Sequence, residues 1–170
     1  MINKRKNVFE TNSSSVHTIT LNGSNVNDLR VDKDGYVHIE LGYYGKDYAE
    51  FNNSYDKLSY AILLVCYTKG IWIPYIYTED PREEDIEEWR SCLEDLKETH
   101  DYKMIEECVC TELNRQNRIC YGIKIHMSDC GIDHQSSHDY SSLTEFLETN
   151  NMETIHDFIF GGAVLTTDCD

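Results

Sequence analysis

The chain has 170 residues with 31 Asp and Glu against 15 Lys and Arg, a formal net charge of −16, and its 40% hydrophobic content includes 12 Tyr, 5 Phe and 2 Trp. That is enough apolar material for one compact domain, while the acidity argues against direct nucleic-acid binding, which needs clustered Lys and Arg to neutralise phosphates. The longest apolar run, 61–67, falls far short of the ~20 residues that span a bilayer. Lys4, Arg5 and Lys6 lead into a polar run instead of the apolar core of an export signal.

The N-terminal third has strand periodicity. From Ser14 to Asn22, His17, Ile19 and Leu21 share one face and Val16, Thr18 and Thr20 the other. Asn22-Gly23 marks a turn, Asp28 to Asp32 a short strand and Asp34-Gly35 a hairpin turn. Tyr36 to Leu41 follows as an alternating strand with Val37, Ile39 and Leu41 inward. Asn52, Asn53 and Ser54 offer N-cap oxygens for a helix over Tyr55 to Thr68, and Gly70 supplies its stop. Leu58, Ala61, Ile62, Val65 and Cys66 recur at helical spacing, so this helix is expected to be central and buried. Pro74 makes Trp72 to Tyr77 an edge strand or extended connector.

A second helix starts near Thr78 to Pro81, with Glu83, Glu84 and Asp85 in its first turn, where the macrodipole favours anions. Its apolar stripe is Ile86, Trp89, Leu93 and Leu96, leaving Glu87, Glu88, Glu94, Asp95 and Glu98 toward water. A third helix over Tyr102 to Asn114 buries Ile105, Cys108, Val109 and Leu113. Residues 79–112 hold 14 acids and 4 Lys or Arg, a local balance of −10. Ile119 to His126 then alternates with Ile119, Tyr121, Ile123 and Ile125 on one face, and a short helix is expected around Leu143 to Glu148. Gly161-Gly162, flanked by Phe158–Phe160 and Ala163–Thr167, has the form of a two-residue hairpin. The pattern is that of a single α+β domain over 1–170. Its mixed or antiparallel sheet comes from N- and C-terminal strands, and its helices come from the middle of the chain.

The seven cysteines are odd in number and irregular in spacing. Without an export signal they are expected to be reduced, small apolar side chains in a cytoplasm. Two polar clusters carry chemistry. In ETNSSSVHTI, Glu10 to Ile19, a carboxylate (Glu10), an amide (Asn12), the hydroxyls of Ser13, Ser14 and Ser15, and His17 precede the first strand. The spacing is that of neither a nucleophile elbow nor a phosphate loop, and a hydroxyl-rich turn is the bland alternative. In IDHQSSHDYSS, Asp133, His134, Gln135, Ser136 and His138 follow the strand ending at His126. His126, Cys130, His134 and His138 recur every four residues, which on a helix would align four zinc ligands.

ETNSSSVH, the IDHQS segment and the closing TTDCD together resemble a family of phage and prophage proteins of Firmicutes that open with F-E-T-N-S-S-S-S-H and end in T-D-N-D. Val16 stands here in place of the fourth serine and Cys169 in place of the asparagine. The resemblance implies a mobile-element origin and a bacterial cytoplasm, and covers neither the acidic middle nor an activity. It also groups Glu10, Asn12, Ser13, Ser14 and His17 with Asp133, His134, Gln135 and Asp168 as one polar constellation.

Three functions follow as expectations. In the first, the chain inhibits a basic host protein of defence or nucleic-acid handling, such as a nuclease or CRISPR effector. Glu83, Glu84, Asp85, Glu87, Glu88, Glu94 and Asp95 would stand in for phosphates. In the second, it is a hydrolase or transferase on a phosphate-containing small molecule or nucleotide. His17 or His134 would then be acid/base, a hydroxyl of Ser13 to Ser15 nucleophile or phosphate ligand, and Glu10 or Asp133 the group that orients the imidazole. In the third, His126, Cys130, His134 and His138 hold zinc in an interaction module.

Overall fold

The computed structural model describes residues 15–21, 23–45, 47–74, 81–132 and 140–169, and only the backbone of 15, 16, 168 and 169. Its elements run β1 (Ser15–Thr20), β2 (Tyr36–Glu40), β3 (Tyr43–Tyr44), β4 (Ala49–Phe51), α1 (Ser54–Thr68), α2 (Glu83–Glu98), α3 (His100–Arg115), β5 (Gly122–His126), β6 (Gly131–Ile132), α4 (Leu143–Thr149), α5 (Ile155–Ile159) and β7 (Val164–Cys169). The class is α+β. None of these helices is long and apolar enough to cross a membrane.

Helix α1 is the centre. Eleven of its residues, Ser54 and Lys57 through Cys66, are buried, and each fully buried Leu, Ile or Val contributes roughly 1.5–3 kcal/mol. Asn53 caps its start by accepting the Asp56 amide at 2.8 Å. Its end is a Schellman turn: Gly70 sits at φ +67°, its N–H reaches the Tyr67 carbonyl, and the Ile71 N–H reaches that of Cys66.

Three small sheets surround α1. In the first, β7 lies between β1 and β4, antiparallel to both, and the β1 register sets His17 opposite Thr167 and Val16 opposite Asp168. Strand β2 pairs parallel with β5, and β3 parallel with β6. Val37, Ile39 and Leu41 are buried as their alternation requires. The backbone edge of β5 is closed by Glu106 of α3, whose carboxylate accepts the Ile123 N–H at 3.0 Å. Gly122 lies beside it, where a Cβ would sit 2.9 Å from the same carboxylate and push it off the Ile123 N–H.

Several expectations are corrected. Gly161-Gly162 joins no hairpin, since Ile155–Ile159 is helical, started by a capping box in which Thr154 and Asp157 serve each other's backbone N–H. Those glycines serve close approach instead: a Cβ on Gly162 would lie 2.6 Å from the Gly23 carbonyl oxygen, and the Gly23 N–H bonds the Gly162 carbonyl at 2.8 Å. Asp28 to Asp32 forms only a bridge from Val31 to Val37, because the Asp32 carboxylate accepts the Asp34 and Tyr36 N–H groups and turns the chain. Ile119 and Tyr121 are 65% and 69% exposed and precede β5 instead of belonging to its inner face. Trp72 to Pro74 forms no strand, and the rest of that expected connector lies outside the described residues.

Where α5 meets β7, the carbonyls of Ile159, Gly161 and Ala163 turn inward. Ser54 donates to the first at 2.9 Å, and the ammonium of Lys57, itself fully buried, donates to the other two at 3.2 and 3.0 Å. Burial lowers the Lys57 pKa from 10.5 to about 8, with Asp28 opposing. Between those values the unfolded chain holds a proton at Lys57 that the folded chain has released, so this group's contribution to stability rises with pH across that window. Below pH 8 both states are charged and the contribution is flat. The expected outcome is that wild type gains roughly 1–3 kcal/mol over Lys57→Met between pH 8 and 10.5. Urea unfolding of both proteins checks it, because the shared tyrosine and cysteine titrations cancel in the difference; a pH-independent difference would contradict it.

Candidate functional site

Helix α2 lies on the body of the protein through Trp89 and Leu96, both buried, with Leu93 half-buried beside them. At 100° per residue, Glu83, Glu84, Glu87, Glu88, Glu94, Asp95 and Glu98 fall within an arc of about 140° diametrically opposite that stripe. All seven are exposed, and the only other residue in the arc is Ser91. Arg82 and Lys103 reach its two ends, at Glu84 and Glu98. Among the described residues, no base pairs with Glu83, Glu87, Glu88, Glu94 or Asp95. Along the helix axis the seven carboxylates fall at 83/84, 87/88, 94/95 and 98, with a gap of about 9 Å after Glu88; their mean spacing of about 3.8 Å is close to the ~3.4 Å charge spacing of one B-DNA strand.

Asp85 stands apart from this face. Its carboxylate folds back to Arg82 at 2.9 Å and to the Arg82 N–H at 3.1 Å, closing the first turn of α2. The hydrogen bond from the Arg82 side chain, then that from the Arg82 backbone N–H, and last the guanidinium charge hold Asp85 below the usual carboxylate range. Three of the four acids of α3 are used internally: Asp101 pairs with Lys69 at 2.8 Å, Glu106 caps β5, and Glu112 meets His156 at 3.1 Å, while Glu107 is exposed. The negative surface therefore belongs to α2 and not to both middle helices.

Beside the acidic arc is a cleft of 520 Å³ between α2 and the chain that follows α1, lined by residues that include Glu88, Asp95, Lys69 and Trp72. Trp72 is 66% exposed. Its backbone is held to α2, where the Cys92 thiol donates to the Trp72 carbonyl at 2.6 Å. An indole next to unpaired carboxylates offers a lysine or arginine both a π-face and counter-charge. The sequence showed Trp72 only as part of a connector. Its exposure is a tertiary property that no motif announces.

A second constellation joins residues far apart in the chain. On the outward face of β2 and β5, the His38 Nε2–H donates to Asp32 at 2.6 Å, and His38 Nδ1 stands 2.6 Å from His126 Nε2. With Asp32 fixing the tautomer, His126 Nε2–H is the donor to His38. The imidazole planes differ by 14° and their centroids are 4.9 Å apart, so the rings meet edge to edge along one N–H···N axis and leave no space for an ion between them. The chain orients a surface imidazole, and neither histidine lines a described cavity. Sequence reading singled out His126 alone, since Asp32 and His38 belong to no motif and meet it only through the β2–β5 register.

Of the polar constellation expected at the chain's ends, Glu10, Asn12, Ser13, Ser14, Asp133, His134 and Gln135 lie outside the described residues, as do Ser136 and His138. Asp168 is placed by its backbone beside Val16. His17 turns toward the core, where its Nδ1 shares a 3.0 Å hydrogen bond with the hydroxyl of buried Tyr60. The helix that would align His126, Cys130, His134 and His138 is absent among the described residues: His126 ends β5, and Cys130 is buried in the irregular segment before β6. Among the described residues no three His, Cys, Asp or Glu side chains converge as a metal site. The chain matches no family model, no curated protein and no solved structure.

The Tyr36 N–H, then His38, lower the Asp32 pKa from 3.8 to about 2. This favours the fold above the unfolded value and is lost as pH falls toward 2. Carboxyl-carbon NMR is expected to show Asp32 still ionised where other solvent-facing carboxylates have protonated, with His38→Ala raising its midpoint. An ordinary midpoint near 4 would refute this geometry.

Proposed function

We propose that this chain is a binding protein that occupies the nucleic-acid cleft of a basic protein, presenting the α2 carboxylates where that cleft receives phosphates. The observation that carries the reading is the segregation of seven exposed carboxylates onto one arc of α2, free of Lys and Arg within it. An evenly charged surface would serve solubility as well. A one-sided stripe does more: it steers a cationic partner and fixes its orientation. Trp72 at the edge of the stripe gives the contact an aromatic anchor, the residue type on which binding energy concentrates. With the phage-type phrases at the chain's ends, the reading extends to a mobile-element product that blocks a bacterial nuclease or other defence effector.

The test is competition: purified nucleases and CRISPR effectors are held on labelled DNA and the protein is titrated in at low and high salt. Displacement from at least one is expected, weakening about tenfold or more between 50 and 300 mM salt. Glu87→Lys with Glu94→Lys should abolish it, and Trp72→Ala should weaken it about tenfold. Displacement insensitive to both salt and charge reversal would sink the reading, as would a panel with no displacement.

A further inference from the structure

Cys110, on α3, and Cys120, in the chain entering β5, have their Sγ atoms 2.7 Å apart, well inside the packing distance of two unbonded sulfurs. Local structure holds them there. After α3 the chain reverses through Asn117 at φ +60°, and the Arg118 N–H bonds the Leu113 carbonyl at 3.0 Å. The Asn114 side chain then grips Cys120 at both backbone groups, accepting its N–H at 3.0 Å and donating to its carbonyl at 3.4 Å. Positions 110 and 114 lie on one face of α3, so the residue that clamps Cys120 also aims it at Cys110. Cys108 lies about 200° around the helix from Cys110, and the Cys92 thiol is engaged with Trp72.

We infer that Cys110 and Cys120 are a redox-modification site of this chain, closing to an intramolecular disulfide when a peroxide or a disulfide-exchange reagent is supplied. With hydrogen peroxide, one sulfur is oxidised to the sulfenic acid with loss of water. The second then attacks it, forming the S–S bond and releasing a second water; two thiols and one peroxide give one disulfide and two waters. Burial, and then the contact with Cys120, hold the Cys110 thiol above its ordinary pKa, so closure relies on proximity more than on thiolate and is slow.

The bond has a structural consequence. Asn117, Arg118, Ile119 and Tyr121 form one wall of an open cleft of 880 Å³ whose other wall is the 26–35 segment. The walls already touch where the Arg118 guanidinium donates to the Leu29 carbonyl at 2.7 Å. Tying Cys120 covalently to α3 fixes the 117–121 wall, so oxidation sets how far this cleft opens.

The test uses the full chain. It is exposed overnight to hydrogen peroxide or oxidised glutathione, unfolded, alkylated and weighed. Alkylated cysteines should fall from the seven in the sequence to five, with peptide mapping of wild type joining Cys110 to Cys120. Cys108→Ala should keep the bond and Cys110→Ala should lose it. Seven alkylated cysteines after oxidation, or a bond through another pair, would overturn the assignment. Hydrogen exchange across 117–121 should slow at least threefold on oxidation, and unchanged exchange would overturn the link to the cleft.

Discussion

The buried ammonium of Lys57 is the interaction on which the arrangement rests. It comes from the first turn of the central helix and holds the carbonyls of Gly161 and Ala163, in the segment that leads into β7. Strand β7 in turn carries β1 on one edge and β4 on the other. One side chain therefore couples the core helix to the sheet that joins β1, β7 and β4. Removing it leaves inward-facing carbonyls without donors, the costly side of any buried hydrogen bond.

The same core decides which acids are available. Helix α3 is packed against α1, α2, α5 and β5, and its carboxylates at 101, 106 and 112 each find a cation, a hydroxyl or a backbone N–H. Helix α2 packs along a narrow stripe, and its first turn consumes only Asp85. A segment that is acidic along its length is thus split into a helix that uses most of its carboxylates to hold the fold and one that displays them.

Local chemistry was legible in the sequence. The Asn53 cap, the Gly70 stop, the inward Val37, Ile39 and Leu41, and the Trp89 and Leu96 stripe each follow from periodicity or a single conformational rule. The misreadings come from competition between local signals. Gly161-Gly162 has the form of a hairpin, but the Thr154 and Asp157 capping box upstream starts a helix instead of a strand. The alternation of Ile119 and Tyr121 suggested a longer β5 because their solvent exposure is a tertiary property. What links Asp32 and His38 to His126, or Cys110 to Cys120, was not legible, since strand register and the reversal after α3 create those contacts.

The most direct measurement of the central claim is amide and indole NMR of the full chain during titration with an arginine-rich peptide at low salt. The account predicts shifts concentrated on 83–98 and at the Trp72 indole, fading together as salt is raised. Shifts centred instead on the 26–35 and 117–121 walls, or scattered without preference over the surface, would contradict it.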